Sequence, residues 1–478
     1  MTRASLSPCT TLLALALAAA GGACGSGGAA PGPDAATLPA WHKDLPPASV
    51  MGVRRGLTPA RGIIHLHSPY SHDACDYNPR PGGVPDETCL SHLRAALCSD
   101  RIDFAALSDH DDSMADEEFA ALLLVRGSDE LVQGKDGPIA SRLHCDDGHQ
   151  VLLTVGSENP IMPIMLDRHV TGTVAERHDI YNADTPEAVA AFRDAGATVW
   201  IPHTEQRTTP QLVTLAPDGI EIYNLHANID PNIRRDYLGL SPDGAITAAL
   251  GFAGMDADGP EPDLALLSFL LPSTPALTRW NELLAMGIHV AGSAGTDAHE
   301  NSLPIILKDG ERGDSYRRLL RWFANIALVA DPTDPGQIED AVRSGRMFVA
   351  FEIFGTPVGF DVHAVAGGDV TEMGGTIADD VGATLEVTVP TVLDLSPTLP
   401  APEIRARVLR VDQAGVTEVA AGGGPTLSVP LDQPGAYRVE VTMTPHQLGP
   451  YLGRLGTDDA EHEQPWIYGN PIYVEPVR

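Results

Sequence analysis

Positive charge is scarce in this 478-residue chain. Lys and Arg number 31 against 64 Asp and Glu, which leaves a formal net charge of −33. The three lysines are Lys43, Lys135 and Lys308, so arginine carries nearly all of the positive charge. A field of this sign repels polyanions, and we therefore expect no nucleic-acid partner.

Long apolar runs are also scarce, and the clearest lies at residues 11–20, too short to span a bilayer. It follows Arg3 and precedes a small-residue stretch that ends at Cys24, which predicts an export signal over residues 1–24. Small residues ending in Cys resemble a bacterial lipoprotein signal. We expect an exported, cell-envelope lipoprotein whose one membrane contact is a lipid anchor at Cys24. A signal peptide cut near Ala23, leaving a periplasmic or extracellular protein, is the alternative.

Cysteine is limited to six residues, of which Cys9 and Cys24 lie in the predicted signal. The other four are Cys75, Cys89, Cys98 and Cys145. An even number in an exported chain predicts two disulfides, for which three pairings are possible. A zinc site built from these four is disfavoured because the sequence has no Cys-x-x-Cys pair among them.

The length suits two or three domains of roughly 150 residues each. Residues 25–49 are rich in Gly, Ala and Pro, which predicts a flexible tether. Short apolar runs alternate with helical patterns over residues 50–350, and this order predicts parallel strands in an α/β barrel or sheet. Residues 351–478 show strand-like runs separated by Gly, Pro and Asp turns, which predicts an antiparallel β-sandwich.

The first candidate ligands lie in and just after a predicted strand at residues 62–67. His65 and His67 are two residues apart, so on a strand both side chains point to one face and can bind one cation. His72 and Asp73 follow a turn at Ser68 and Pro69, and they compete for one further ligand position. The stretch therefore predicts the first part of a metal site.

Similar polar residues follow the later apolar runs. Imidazole together with carboxylate suits zinc, iron or manganese, and barrel enzymes place such residues at the C-terminal ends of their strands. A carboxylate can bridge two metals, and closely spaced metals can share a hydroxide that acts as nucleophile. These further candidates are Asp109, His110, Glu158, His169, His203, Glu221, His226, Asp297 and His299.

Five motifs, HLHSPYSHD, ALSDHD, VGSEN, IPH and GTDAH, stand in order between residues 63 and 299. This ordered set resembles the PHP (polymerase and histidinol phosphatase) superfamily of metal-dependent hydrolases. The resemblance implies a distorted (β/α)7 barrel holding two or three divalent ions, Zn, Mn or Fe. It assigns His65, His67, Glu158 and Asp297 to the first ion, and Glu158 and His203 to the second. It expects a further histidine at the second ion, for which we choose His169. It assigns Asp73 or His72, with His110 and His299, to the third.

A predicted exported barrel with a β-rich tail also looks like the CehA/McbA-like hydrolases, which include aryl carbamate and ester hydrolases. The tail segment WIYGNPIYV at residues 466–474 is similar to endings in that group. We therefore predict that a metal-bound hydroxide attacks a small-molecule phosphate ester, or a carbamate or carboxylic ester. A non-catalytic surface lipoprotein that binds metal or another ligand is the alternative.

Four residues keep two interpretations each. Asp109 is a catalytic candidate that could instead orient His110. Arg207 could hold an anionic group of the substrate, or it could be an ordinary surface arginine. Glu221 could orient His203 or simply end a strand, and His226 could be a ligand or part of the pocket wall.

Overall fold

The computed structural model describes residues 38–477, and residues 39–477 belong to one compact unit. The predicted signal over residues 1–24, the Cys24 anchor and most of the predicted tether lie outside the described residues. The rest of the predicted tether packs against the body, where Trp41 Nε1 donates to Asp263 and Lys43 pairs with Asp309. Among the residues that are described, no helix has the length and apolarity needed to cross a membrane.

The strands of the first three hundred residues are short and mostly buried. They are β1 Thr58–Ile63, β2 Phe104–Ala106, β3 Glu130–Gln133, β4 Pro138–His144, β5 Gln150–Thr154, β6 Met162–Ile164, β7 Thr198–Ile201, β8 Gly219–Asn224 and β9 Ala291–Gly295.

The later strands include several longer ones. They are β10 Ala324–Val329, β11 Met347–Ala350, β12 Pro357–Val358, β13 Asp361–Ala366, β14 Asp369–Glu372, β15 Thr376–Ala378, β16 Thr384–Thr388, β17 Thr391–Val392, β18 Glu403–Asp412, β19 Gly415–Gly422, β20 Thr426–Pro430, β21 Gly435–Thr444, β22 Gln464–Gly469 and β23 Ile472–Glu475.

The α-helices lie before residue 345 in the described part of the chain. They are α1 Ala74–Tyr77, α2 Glu87–Ser99, α3 Asp111–Met114, α4 Val174–Tyr181, α5 Pro186–Asp194, α6 Thr209–Leu215, α7 Leu225–Ile229, α8 Pro231–Ile233, α9 Gly244–Leu250, α10 Thr274–Ala285, α11 Tyr316–Leu320 and α12 Pro335–Ser344.

Local sequence accounts for the better-formed helices. The Asp86 side chain accepts from two backbone amides at the start of α2, and buried Leu90, Leu93 and Leu97 share one face. Helix α12 begins with an Asp334 cap and ends at Gly345, whose φ of 74° suits glycine. Both helices therefore begin at a capping aspartate, and α12 also ends at a glycine suited to its left-handed φ.

The fold is mixed α/β, with one large sheet and separate smaller sheets. Thirteen of the described strands form the large sheet, in which β1, β2 and β5 run parallel. A second sheet has the order β6-β7-β8-β9, with β7, β8 and β9 parallel. The predicted barrel is not confirmed, because its strands lie in these two sheets. Single bridges at Leu66–Ala298 and Val155–Leu166 connect the sheets.

The predicted C-terminal sandwich corresponds in the structure to antiparallel strands in two places. Strands β14-β13-β16-β20 form a separate antiparallel sheet. Strands β18, β19, β21 and β22 continue the large sheet, because β22 pairs with β11. The large sheet therefore runs without a break from the ligand-bearing strands into the C-terminal region.

Bulky side chains fill the space beneath the ligand-bearing loops. The Trp200 ring lies where a Cβ on Gly219 would stand, 2.1 Å from its nearest ring atom. Trp200 is fully buried, and its Nε1 donates to Ser293 Oγ at 2.8 Å, so its polar atom is satisfied. This packing holds β7, β8 and β9 together just below the ends that carry His203, His226 and Asp297.

Two disulfides lie within residues 75–145. Cys75 pairs with Cys89, and Cys98 pairs with Cys145. These are one of the three pairings that the sequence allowed. Both disulfides reach α2, which carries Cys89 near its start and Cys98 near its end.

Candidate metal centre

The candidate ligands meet at the C-terminal ends of six strands. His65 and His67 follow β1, which ends at Ile63, so the two histidines lie just beyond the strand. The others come after β2, β5, β7, β8 and β9. Parallel strands present these ends at the same edge of a sheet, and the two sheets bring both sets of ends together. Three groups of possible ligand atoms result.

The first group consists of His65, His67, Glu158 and Asp297. His65 Nε2 lies 3.2 Å from His67 Nε2, 3.2 Å from Glu158 Oε2 and 3.3 Å from Asp297 Oδ1. His67 Nε2 lies 3.3 Å from each of the same two carboxylate oxygens. Four ligands at about 2.0–2.1 Å in a tetrahedron lie about 3.3–3.4 Å apart, so these spacings match a zinc-sized ion.

The second group consists of His203, His226 and Asp297. His203 Nε2 lies 3.2 Å from Asp297 Oδ2 and 3.1 Å from Glu158 Oε1, and His226 Nδ1 lies 2.9 Å from Asp297 Oδ2. Glu158 and Asp297 thus each direct one oxygen to the first group and the other to His203. Both carboxylates have the placement of ligands that bridge two ions.

The third group consists of His67, Asp73, His110 and His299. Asp73 Oδ2 lies 3.2 Å from His299 Nε2 and 3.5 Å from His110 Nε2. The structure therefore places Asp73, not His72, with the other ligands. The His72 side chain is exposed, and its ring centroid lies 5.1 Å from that of His110.

His65 is oriented by a carboxylate behind it. His65 Nδ1 donates to Glu221 Oε1 at 2.6 Å, which leaves its Nε2 lone pair facing the first group. Glu221 Oε2 in turn accepts from the backbone N of His203 at 2.9 Å and from Asn224 Nδ2 at 3.0 Å. Glu221 therefore connects the first and second groups. A Cβ on Gly295 would stand 1.9 Å from Glu221 Oε1, so only glycine fits there.

Three further histidines are also held at their second nitrogen. His67 Nδ1 lies 3.0 Å from Ser71 Oγ, His110 Nδ1 donates to the backbone O of Glu158 at 2.7 Å, and His203 Nδ1 lies 3.2 Å from Glu205 Oε1. Such partners fix the ring and the tautomer of a metal-binding imidazole.

Two ligands have strained backbones. His203 and Asp297 adopt left-handed φ angles of 47° and 53°, which cost about 1–3 kcal/mol each in residues other than glycine. Backbone outliers of this kind cluster at functional sites, where the surrounding structure holds them.

The charged side chains of the three groups shift one another's pKa values. Burial opposes ionisation of the Glu158 and Asp297 carboxyls, yet the His65 imidazole and its neighbours hold the pKa of each well below its ordinary value. Burial likewise opposes protonation of His110, but Asp73 and Glu158 raise its pKa to about 10. Buried carboxylates at this density require positive charge close by, which imidazolium or a bound cation can supply.

The donor set fits divalent ions. Asp297 Oδ1 and His299 Nε2 are buried and have no hydrogen-bond partner, although each lies in one of the groups. Buried polar atoms are normally satisfied, so these two atoms are suited to bind a cation. Imidazole nitrogens with carboxylate oxygens suit Zn, Mn or Fe.

The site has a buried floor and an open side. His65 and His67 are fully buried, and the Asp297 side chain is 1% exposed. The His226 side chain is 42% exposed, and His110, Asp73 and His203 are each about one-fifth exposed. A molecule that enters from solvent therefore meets the second and third groups before it meets the first.

The Asp109 carboxylate holds the loop that follows His67. Its Oδ1 accepts from the backbone N of Ser68 at 2.6 Å, and its Oδ2 accepts from Ser68 Oγ at 2.7 Å. Burial raises the pKa of this carboxyl. The contacts support a positioning role for Asp109, in the turn between His67 and Asp73, in place of the predicted catalytic one.

Arg207 is engaged in structural contacts. Its guanidinium pairs with Asp184 Oδ2 at 2.7 Å and donates to the backbone O of Pro160, and its backbone O accepts from Arg279. These contacts tie the loop after His203 to two other loops. They leave little of the guanidinium for an anionic substrate group.

The structure does not bring His169 to the site. Its Nε2 donates to the backbone O of Glu117 at 2.9 Å, its Nδ1 lies 3.2 Å from Tyr181 Oη, and it belongs to none of the three groups. His226, which the sequence left open, stands in the second group. The signal that could have favoured it is its place directly after β8, as the other ligands follow their strands.

No protein-family model matches the chain, and no curated protein matches it. Among solved structures it is similar to a two-domain protein from Bacteroides vulgatus that contains a predicted PHP-like metal-dependent phosphoesterase. The identity is 12%, the TM-score is 0.34, and the similarity covers 88% of this chain and 97% of the other. At this TM-score the similarity supports no conclusion about activity, so the functional assignment depends on the metal groups of this chain.

Proposed function

We propose that the protein is a metal-dependent hydrolase of the PHP superfamily, in its CehA/McbA-like exported branch. The reaction we assign is cleavage of a small-molecule ester, either a phosphate ester or a carbamate or carboxylic ester. The ions would be two or three of Zn, Mn or Fe.

The observation that carries the proposal is the sharing of ligands among the three groups. Asp297 and His67 each belong to two groups, and Glu158 directs its two oxygens to different histidines. Shared carboxylates hold ions a few ångströms apart, which is the arrangement used for hydrolysis. A purely structural zinc site does not need shared ligands, because four ligands complete the tetrahedron around its one ion.

The roles of the individual residues follow from their positions. Divalent ions in these groups would acidify water and offset negative charge at the scissile centre. Glu158 and Asp297 hold the first and second groups at a fixed separation. Glu221 orients His65 and the His203 backbone, and Asp109 sets the turn that leads from His67 to Asp73.

The open side of the site defines how a substrate would be bound. The ester would approach past His226, His110 and Asp73, the more exposed ligands. Arg207, the arginine closest in sequence to His203, already pairs with Asp184. Recognition of the scissile group therefore falls to the ions, which suits an ester of low charge better than a highly phosphorylated one.

The proposal extends to location. We infer an exported protein held in the cell envelope by a lipid at Cys24, or released into the periplasm or medium. The basis is the N-terminal sequence pattern.

The test is hydrolysis by the purified chain without residues 1–24. Aryl phosphate mono- and diesters, aryl carbamates and aryl acetates are assayed before chelation, after chelation, and after return of Zn²⁺ or Mn²⁺. We expect turnover of at least one ester class, lost on chelation and restored by metal. Absence of turnover in every class from protein that binds metal would contradict the hydrolase assignment and favour a binding protein.

A further inference from the structure

The turn that carries Asp73 has an unusual backbone. Cys75, Asp76 and Tyr77 adopt left-handed φ angles of 54°, 55° and 60° in succession. The left-handed conformation costs about 1–2 kcal/mol per residue for residues with a Cβ. Three such residues in a row persist only when surrounding contacts hold the turn in place.

Backbone contacts tie this turn to the segment after β9. The backbone N of Cys75 donates to the O of His299 at 2.9 Å, and that of Asp76 donates to the O of Glu300 at 3.1 Å. Asn301 Nδ2 donates to the backbone O of Asp73 at 2.7 Å. Asp73 and His299 thus approach each other because their main chains are hydrogen-bonded.

The side chains of Cys75 and Tyr316 make further contacts that hold this turn and the ligand-bearing loops. Cys75 forms its disulfide with Cys89 in α2, which anchors the turn to a well-formed helix. The hydroxyl of Tyr316, in α11, contacts the backbone O of His67 at 2.9 Å and that of His299 at 3.3 Å. Cys89 Sγ lies 3.9 Å from the same hydroxyl, and Tyr316 is fully buried.

We propose that the Cys75–Cys89 disulfide and Tyr316 are positioning residues of the third group, which holds its ion tightly only while both are intact. The Cys75 amide donates to the His299 carbonyl, and the Tyr316 hydroxyl lies between that carbonyl and the nearer carbonyl of His67. Without the disulfide, the left-handed turn relaxes and carries Asp73 away from His110 and His299. The inference rests on the proposed function only in requiring that the three groups bind ions.

The chain offers matched controls for both side chains. The Cys98–Cys145 disulfide joins the other end of α2 to the segment between β4 and β5, and neither cysteine belongs to a metal group. The Tyr437 hydroxyl also donates to a backbone O, that of Gln433 at 2.9 Å, in the segment just before β21. Loss of either control contact removes a similar interaction without touching the third group.

The experiment counts ions per chain by mass spectrometry after equilibrium dialysis against Zn²⁺ or Mn²⁺. The variants are Cys75→Ser with Cys89→Ser, Tyr316→Phe, and the controls Cys98→Ser with Cys145→Ser and Tyr437→Phe. His110→Ala marks loss of the third ion. We expect the double cysteine variant to lose one ion, as His110→Ala does, and to lose no more when combined with it. Tyr316→Phe should bind that ion about 10–100-fold more weakly. Both controls should keep the wild-type count.

Three results would overturn the inference while leaving the hydrolase proposal standing. They are wild-type ion binding in either Tyr316→Phe or the double cysteine variant, loss of every ion from Tyr316→Phe, or a count that His110→Ala does not lower. If the double cysteine variant does not fold by circular dichroism, Tyr316→Phe decides alone, because it keeps the ring and its packing. A wild-type chain that binds no ion would instead contradict the proposed function.

Discussion

Nδ1 of His65 lies 2.6 Å from Oε1 of Glu221, at the floor of the candidate metal centre. Both side chains are fully buried, so the contact is shielded from water. The contact directs the lone pair of His65 Nε2 toward His67, Glu158 and Asp297. It also makes Nε2 more basic, so that Nε2 donates its lone pair to a cation more readily. Glu221 therefore orients a candidate ligand, although it belongs to none of the three groups itself.

The first prediction concerns Glu221→Gln. An amide keeps the size of the side chain but no longer stabilises positive charge on His65, and it can present an N–H where Nδ1 also donates. We expect metal affinity of the first group to fall about 10–100-fold. A chelator competition titration measures this. Glu386→Gln changes a half-buried acid that accepts a hydrogen bond from Ser428, far in sequence from the metal groups; it is the control and should bind metal as the wild type does.

The second prediction concerns Gly295→Ala. The new Cβ would stand 1.9 Å from Glu221 Oε1 and 3.1 Å from His65 Nδ1, so Glu221 must move. We expect loss of the first ion and destabilisation by about 1–3 kcal/mol in urea unfolding. Gly244→Ala in α9 has neighbours no closer than 3.4 Å and should be neutral or slightly stabilising. Equal behaviour of the two variants would show that the space around Gly295 is not restricted.

The third prediction separates His226 from His169. His226→Ala removes a member of the second group, so we expect one ion fewer per chain and a loss of activity of at least tenfold. His169→Ala removes contacts to Glu117 and Tyr181, which should cost about 1–3 kcal/mol of stability and leave the ion count unchanged. The opposite pattern would restore His169 as the ligand and exclude His226.

The fourth prediction concerns Arg207. Because its guanidinium pairs with Asp184 and reaches Pro160, Arg207→Ala should lower the melting temperature without raising KM for an anionic ester. Asp184→Ala removes the same ion pair from the other side and should behave similarly. A rise in KM for the anionic substrate alone, without a matching change in Asp184→Ala, would show that Arg207 binds substrate.

The candidate site can be predicted from the sequence because each ligand is marked by the few residues around it. An apolar run followed by His, Asp or Glu marks a strand end, and this pattern occurs at β1, β2, β5, β7 and β9 within short stretches of sequence. The same rule applied to β8 would have placed His226 beside them. The order of the motifs favours His169, but that order does not tell where a side chain in a loop points.

Other features depend on contacts between distant segments. The choice of Asp73 over His72 follows from the left-handed turn at Cys75 to Tyr77, which the His299 and Glu300 carbonyls hold in place. The disulfide pairing depends on where α2 packs, and four cysteines alone do not determine it. The predicted barrel is not confirmed, because its strands lie in two sheets that only single bridges connect, at Leu66–Ala298 and Val155–Leu166.

The central claim is that divalent ions lie among His65, His67, Glu158 and Asp297 and in the two groups beside them. The most direct measurement is anomalous diffraction from crystals of the Zn²⁺- or Mn²⁺-loaded protein, collected above and below the metal absorption edge. We expect an anomalous peak within bonding distance of His65 Nε2 and His67 Nε2, with further peaks beside His203 and Asp73. Peaks elsewhere in the molecule with none at His65 and His67, in crystals that contain metal, would contradict the account.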